Sequence, residues 1–188
     1  MNKILFLFFI LAITTKSYAG ELTLSPLPAK AGDNIEVNYS PDERFIDVSS
    51  LKLFAYFFSA GDNLPHAEEF PLRFDSLSTE ATTTIAIPDT AVFVLLKVDG
   101  EDSFFDIYDD NKSQFWDIII FGEDGNPVKF SMLKAGISFL GSFPDNFNRQ
   151  VDINKAVKLL QKETELYPDN IQEQIGLTSL KKKKKKLT

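Results

Sequence analysis

Between Glu21 and about Glu123, short apolar runs alternate with polar positions at the two-residue period of β-strands. Residues 51–58 (LKLFAYFF) are apolar on both faces, which predicts a central strand covered on both sides. Residues 66–75 (HAEEFPLRFD) alternate weakly and contain Pro71, as expected of an edge strand. Seven or eight such segments are separated by turn residues, and together they predict an antiparallel β-sandwich.

The period of the apolar residues changes after the turn sequence GEDGNP (122–127). Met132, Ala135, Ile137 and Leu140 then recur at helical intervals, and Pro127 suits the start of a helix. We therefore expect residues 126–180 to form a separate helical segment behind the strands.

The clearest helix is predicted within DINKAVKLLQKETELYPDN (152–170), where Asp152 or Asn154 can cap the start and Pro168 ends the helix. The apolar stripe of this helix comprises Ile153, Ala156, Val157, Leu160 and Leu166, and the side expected to face outward carries Lys155, Lys158, Lys162 and Glu163. Residues 170–180 continue as a further amphipathic segment.

The first residues, MNKILFLFFILAITTKSYAG, have the pattern of a secretory signal peptide. Lys3 supplies the positive region, Ile4 to Ile13 are ten apolar residues, and Ser17 and Ala19 are small residues before the cleavage point. This apolar run is shorter than the ~20 residues that span a bilayer. The sequence predicts a signal peptide over residues 1–19 and a chain exported to the periplasm or the extracellular space.

Charge and cysteine content exclude several functions. Residues 21–180 carry 27 acidic against 12 basic side chains, so the exported body repels phosphate backbones and we expect no nucleic-acid binding. The sequence has no cysteine, which excludes a catalytic thiol, a redox pair and Cys-ligated metals within this chain.

Single residues with chemical potential are few. His66, the only histidine, lies in GDNLPHAEEF beside glutamates, and we interpret it as a solvated loop residue. GISFLG (136–141) resembles a nucleophile elbow only superficially, because its second glycine comes one residue late. Gly136 and Gly141 are expected to allow close helix packing or to end a helix.

The stretch from residue 99 to residue 124 is strongly acidic, and Lys112 is its only basic residue. Oxygen ligands from adjacent loops could hold a calcium ion, although the spacing is not that of an EF-hand. Solvated hairpin turns are the favoured interpretation. The acidic residues are Asp99, Glu101, Asp102, Asp106, Asp109, Asp110, Asp117, Glu123 and Asp124.

Aromatic side chains offer a second candidate surface. If they share an exposed face, they would form a platform on which a carbohydrate could stack, and otherwise they fill the core, which is the favoured interpretation. The residues concerned are Trp116, Phe54, Tyr56, Phe58, Phe104 and Tyr108.

The stretch AVKLLQKETELYPDN resembles the second helix of a tetratricopeptide repeat. Ala156 would occupy the small position where paired helices cross, Leu160 would fill the groove, and Tyr167 and Pro168 would close the repeat. Such a helix pair cannot bury its apolar stripe alone. We therefore expect it either to pack on the sandwich or to be the start of a longer array.

The order of parts resembles the N-terminal region of exported bacterial thioredoxin-like proteins, through DDNKSQFWDIIIFGEDGNPVKFSMLKAGISFLG and the helix ending LYPDN. The resemblance implies an immunoglobulin-like sandwich over residues 20–125 and a tetratricopeptide-like segment over 126–180. In that family a thiol–disulfide domain follows, and its Cys-x-x-C motif is absent from this sequence.

Six consecutive lysines, Lys181 to Lys186, come near the end of the sequence. We expect residues 181–188 to be a disordered tail. A run of lysine codons is a run of adenines, where a one-base slip changes the reading frame. An accidental terminus is therefore favoured over a designed basic tail, and the nucleotide sequence beyond the stop codon would test this interpretation.

No catalytic, cofactor-binding or metal-binding residue is assigned from the sequence, and no cofactor is expected. The favoured function is that of a non-catalytic exported interaction or spacer module, truncated from a larger envelope protein, that binds a protein partner through its helical segment and has no integral membrane span. Two alternatives remain: the N-terminal part of an exported thioredoxin-like oxidoreductase, and a carbohydrate-binding β-sandwich.

Overall fold

A computed structural model describes residues 19–45, 48–74, 79–101, 106–141 and 147–169. The predicted signal peptide up to residue 18, the segment after residue 169 and the lysine-rich tail lie outside these residues. The chain is mainly β, and two helices follow the strands, as the sequence predicts.

Nine strands form the β region in the described residues. They are β1 (Glu21–Ser25), β2 (Ala29–Lys30), β3 (Asn34–Ser40), β4 (Ser50–Ser59), β5 (His66–Phe74), β6 (Ala81–Ala86), β7 (Ala91–Glu101), β8 (Asp106–Asp109) and β9 (Trp116–Phe121). A short 3₁₀ helix covers Glu43–Phe45, and the helices are α1 (Ser131–Ser138) and α2 (Ile153–Leu166).

The strands pair in the order β1-β3-β6-β5-β4-β7-β9-β2. Strand β9 pairs with residues 93–96 of β7, and β8 pairs with residues 98–101 of the same strand. All pairings are antiparallel except that of β2 with β9. Because β1 and β2 follow each other in sequence but lie at opposite ends of this order, the sheet nearly closes on itself.

Strand β5 has the open edge that its sequence predicts over most of its length. It pairs with β4 from residue 66 to residue 72 and with β6 only through Arg73 and Phe74. One half of the sheet consists of β1, β3 and β6, and the other half contains β4, β7 and β9. On the β5 side, the two halves are therefore joined only by the short pairing of β5 with β6.

The inward faces of both halves bury one large apolar cluster, which we call the inner cluster. Ile35 and Val37 of β3 and Ile85 of β6 lie in it with residues of β4, β7 and β9 such as Leu53 and Leu96. All five are fully buried, and each buried side chain of this size contributes about 1.5–3 kcal/mol to the stability of the fold.

A second cluster lies on the opposite face of β4 and β7, against the helices. Phe58, Phe93 and Leu95 pack there with Ala135 of α1 and with Phe147 of the segment between the helices. This arrangement explains why residues 51–58 are apolar on both faces and confirms the prediction of a central strand covered on both sides.

The helix predicted within residues 152–170 is confirmed as α2. The Asp152 carboxylate accepts the N–H of Lys155 at 2.9 Å and caps the helix. Helix α1 begins at Ser131 and not near Pro127, because Phe130 has a left-handed backbone (φ 74°), and it ends at Ser138, before Leu140.

The two helices cross closely at Gly136, as expected for this glycine. A Cβ atom there would lie 3.1 Å from Cγ of Leu160 and 3.2 Å from the carbonyl oxygen of Ala156. Gly141 has a left-handed backbone (φ 70°) beyond the end of α1. Ala156 and Leu160 lie at this crossing, and both residues are buried.

The outward position predicted for Glu163 is wrong. This residue is fully buried, and its carboxylate accepts the N–H groups of Phe130 at 2.6 Å, Met132 at 3.0 Å and Leu133 at 3.3 Å. These are the donors that the start of a helix leaves without intrahelical partners. Tyr167 donates to the carbonyl oxygen of Pro127 at 2.7 Å, so α2 holds the entry of α1 at two points.

Candidate functional site

The helices cover only part of the outer face formed by β4, β7 and β8. Leu96 and Val98 of β7 face the inner cluster, so Lys97 and Asp99 between and beyond them face outward. Tyr108 of β8 pairs with Asp99 in register, and 57% of its surface is exposed. The ring of Tyr108 is thus exposed on the part of the outer face that the helices do not cover.

A cleft of about 190 Å³ opens at this place, which we call the outer cleft. Its lining residues are Tyr56, Lys97, Tyr108, Asp110, Phe115, Phe147 and Asn148. A larger and more open depression of about 390 Å³ lies beside it and shares Tyr108 and Asp110 with it. Both cavities therefore meet at the exposed tyrosine.

The floor of the outer cleft is aromatic with one ion pair. The Tyr56 ring meets the Phe147 ring edge to face, with 4.4 Å between centroids. The Lys97 ammonium lies 2.8 Å from the Asp99 carboxylate and 4.8 Å from the centroid of the Phe54 ring. Burial raises the pKa of Tyr56, so its hydroxyl stays neutral and can both donate and accept a hydrogen bond.

Strained backbone is concentrated around the two cavities, where Phe115 and Asn148 line the outer cleft and Lys112 and Ser113 line the depression beside it. Asn111, Lys112 and Ser113 have consecutive left-handed φ values of 53°, 60° and 63°, and Phe115 has 60°. Asn148, on the opposite wall, has φ 42°. Such conformations cost of the order of 1–3 kcal/mol for each residue and persist where the surrounding structure imposes them, often at functional sites.

Hydrogen bonds hold the left-handed loop 111–115 in place. The Asp110 carboxylate accepts the Ser113 N–H at 2.7 Å, and the Asp110 carbonyl oxygen accepts the Phe115 N–H at 2.6 Å. The Ser113 carbonyl oxygen accepts the N–H of Gln150 at 2.6 Å, which ties the loop to the segment that carries Asn148. The two strained walls are therefore mutually supported.

A buried cation fixes this segment on the sheet. Arg149 donates to the Asp117 carboxylate at 2.5 Å and to the Ser138 hydroxyl at 2.6 Å, and its guanidinium stacks 3.7 Å from the Phe139 ring centroid. Burial raises the pKa of Asp117 against the opposing pull of Arg149. The pair positions the neighbouring Asn148 at the cleft.

The acidic stretch does not form the solvated turns expected of it throughout. Asp109 is buried, Asp117 pairs with the buried Arg149, and Glu101 pairs with Lys52 of β4. Glu123 and Asp124 are exposed in the turn after β9, as expected. Within the described residues, no three His, Cys, Asp or Glu side chains are placed to share a metal ion. Asp102 lies outside the described residues.

His66 is exposed, as expected, but it is the first residue of β5 rather than part of a loop. Its Nε2 lies 3.1 Å from the Glu68 carboxylate, and 72% of its side chain is accessible to solvent. The strand begins here because His66 pairs with Phe57 of β4.

The structure separates the five described aromatic residues of the predicted platform. Phe54, Tyr56 and Tyr108 share the outer face, whereas Trp116 packs against the inner cluster and Phe58 is buried under the helices. Phe104 lies outside the described residues. The core interpretation is thus right for two residues and wrong for the exposed Tyr108.

Sequence reasoning missed Lys97, Phe115, Phe147 and Asn148 as cleft residues. Lys97 had a signal, because it is the one charge within the apolar run AVFVLLKV of the longest strand. The others had none, since Phe147 and Asn148 lie in a linker that only the tertiary fold brings to the sheet. Aromatic faces with nearby donors and acceptors suit non-covalent recognition.

No protein-family model matches the chain, and a search of curated proteins finds no match. The resemblance to the N-terminal region of exported thioredoxin-like proteins therefore stays a prediction. Neither helix in the described part of the chain is long and apolar enough to cross a membrane.

Proposed function

We propose that this chain is a non-catalytic exported binding module built on an immunoglobulin-like β-sandwich. In that fold, strands A, B, E and D form one sheet and strands C, F and G the other. Read in this way, β1, β3 and β6 correspond to A, B and E, and β4, β7 and β9 to C, F and G. Strand β5 lies at the position of D in the chain, but it pairs with β4 over most of its length and with β6 only through Arg73 and Phe74. Strand β2 is then the second half of a divided first strand, which supports the assignment.

The observation that carries a binding role is the outer cleft. An exposed tyrosine stands between two cavities, and five of the six non-glycine residues with left-handed φ in the described chain lie in the loop 111–115 or at Asn148. A spacer needs neither feature. Three residues of the apolar stripe of α2 (Ala156, Val157 and Leu160) are buried and the other two (Ile153 and Leu166) are half-buried. Within the described residues we therefore move the proposed interface from the helices to the sheet.

A photo-crosslinking experiment in the native host tests whether this surface meets a partner. Tyr108 is replaced by a benzoyl-phenylalanine residue, and the same replacement at Leu64 is the control because Leu64 is 67% exposed on the β4–β5 connection. We expect a discrete cross-linked product from position 108 and none from position 64. Equal labelling, or none, would contradict a protein partner at the cleft.

Export has its own test. We expect the chain expressed with its leader to be recovered outside the cytoplasm with Gly20 as its first residue, as measured by intact mass. An uncleaved cytoplasmic product would refute export.

A carbohydrate is the second candidate ligand, favoured by the mixed chemistry of the cleft. Lys97 would repel a cationic ligand. Asp110 would repel an anionic ligand, as would a body with 27 acidic against 12 basic residues. A neutral ligand avoids both conflicts. Sugar hydroxyls pair with the ammonium, carboxylate and amide groups, and the apolar face of a sugar ring stacks on Tyr56 or Tyr108.

Titration with glucose, galactose, mannose, N-acetylglucosamine and oligosaccharides built from them, followed by NMR, tests this candidate. We expect Tyr108→Ala to raise the Kd roughly tenfold or more, about 1.4 kcal/mol, and Leu64→Ala to leave it unchanged. If no sugar shifts the signals of the cleft at millimolar concentration, the carbohydrate candidate fails, whereas the crosslinking result still decides on a protein partner.

A further inference from the structure

A buried carboxylate, that of Asp109, contacts the first residues of the described chain. Asp109 is 1% exposed, and its Oδ2 accepts the backbone N–H of Gly20 at 2.6 Å and the hydroxyl of Tyr39 at 2.9 Å. Its Oδ1 accepts the N–H of Asn111 at 2.9 Å. All three donors are neutral, and in the described part of the chain no lysine or arginine forms a salt bridge with Asp109. Arg44 lines the same depression as Asp109 and interacts with it electrostatically, but it donates to the Asp42 carboxylate at 2.6 Å. Asp109 therefore has no countercharge in direct contact, which is costly for a buried charge.

Position 20 accepts only glycine in this arrangement. A Cβ atom there would lie 2.5–2.7 Å from three atoms of the Tyr39 ring and hydroxyl. The ring cannot withdraw easily, because it is fully buried and meets Phe45 and Trp116 edge to face. Burial and the neighbouring carboxylate raise the pKa of Tyr39, so the hydroxyl remains a donor. The backbone nitrogen of Gly20 is thus held against Asp109 by close packing.

We propose that the amino group released at Gly20 by signal-peptide removal is the countercharge for Asp109. Hydrolysis of the Ala19–Gly20 bond by a signal peptidase of the exporting cell uses one water molecule. Ala19 gains a carboxylate, and Gly20 gains an amine that carries a proton as an ammonium group. A neutral N–H donor 2.6 Å from a buried carboxylate is thereby replaced by a cation at the same position.

This inference rests on the export proposed above, and it assigns a structural consequence to the processing step. The processed chain gains a partly buried ion pair that joins its first residue to β8, whereas the precursor has only the neutral hydrogen bond. Asp109 also accepts the N–H of Asn111 at the start of the left-handed loop. Because Asp109 directly precedes Asp110, which lines the outer cleft, the new N-terminus would contact a residue next to the cleft wall. The Asp109 carboxylate therefore connects signal-peptide removal with the conformation of the loop 111–115.

Four proteins test the pair directly. Residues 20–188 are prepared with a free and with an acetylated Gly20 amine, each with Asp109 and with Asp109→Asn. Acetylation keeps the amide N–H of the precursor and removes only the charge. We expect acetylation to lower the urea midpoint clearly when Asp109 is present and to have little effect with Asp109→Asn. An equal effect in both backgrounds would overturn the proposal.

A second measurement needs no variant and covers the case in which Asp109→Asn does not fold. The rate at which Gly20 reacts with an amine-labelling reagent is compared between the folded processed chain and the same chain in urea. We expect at least roughly tenfold protection in the folded chain, and equal rates would refute the ion pair. Failure of export shows instead in the intact mass of the secreted product, so the two proposals fail separately.

Discussion

Replacing Glu163 with alanine should detach α1 from α2. The carboxylate accepts three backbone N–H groups around the start of α1, and the closest lies at 2.6 Å. Hydrogen bonds to a charged group contribute about 1.5–3 kcal/mol each, and a lost helix cap costs about 0.5–2 kcal/mol. Because one carboxylate serves all three donors, we expect a total loss of about 2–4 kcal/mol rather than the sum.

Thermal unfolding followed by circular dichroism measures this loss. For a chain of this length, 1 kcal/mol corresponds to a shift in Tm of about 2–4 °C, so Glu163→Ala should lower Tm by about 4–16 °C. Glu165 on the exposed side of α2 is the matched control, and Glu165→Ala should change stability by less than about 0.5 kcal/mol. Similar shifts for the two variants would refute the capping role of Glu163.

The pH dependence gives a second readout at the same residue. Burial raises the pKa of Glu163 and outweighs the N–H donors, which act in the opposite direction. The folded chain therefore holds this proton at a pH where the unfolded chain, with an ordinary value of 4.5, has released it. Relative to Glu163→Gln, the natural chain should gain stability as pH falls through the raised pKa towards 4.5. A difference in Tm that stays constant across this range would contradict the assignment.

Three further variants test the packing. Gly136→Leu should destabilise by about 1–3 kcal/mol because its side chain meets α2, whereas Gly61→Leu, with no atom within 4 Å of the new Cβ, should be tolerated in the same urea titration. Phe93→Ala should cost about 3–5 kcal/mol through the cavity left between sheet and helices, and an unchanged Tm would be inconsistent with the buried second cluster. Arg149→Met should cost about 3 kcal/mol by leaving its carboxylate partner without the buried cation, whereas the exposed Arg73→Met should be nearly neutral.

The local elements of this fold were largely predictable from residue patterns. Apolar residues on both faces of 51–58 indicated a strand with two apolar environments, and Asp152 at the head of an amphipathic stripe indicated where α2 begins. Hydrophobic periodicity carries this information because a half-buried strand or helix must repeat with its own geometry. The pattern could not place Glu163, since a carboxylate on a helix is normally solvated and only the donors of another helix justify its burial.

The candidate cleft was predictable only in part, through its aromatic residues. Tyr56 and Tyr108 were candidates for an exposed platform, but their environments depend on where the helices stop covering the sheet. Phe147 and Asn148 come from a linker without periodic pattern, and the left-handed loop 111–115 contains no glycine that would have announced it.

The sequence by itself therefore determined most strand and helix positions, the acidic charge of the body and the leader-like start of the chain, since these follow from local composition and period. Only the tertiary structure decided which charges are buried and paired. Gly20 and Asp109 are separated by 89 positions in the chain. They meet because β1 lies at one end of the strand order, β8 pairs with β7 towards the other end, and the nearly closed sheet brings these two parts together. Contacts between residues so far apart depend on the packing of the whole chain, which no local pattern encodes.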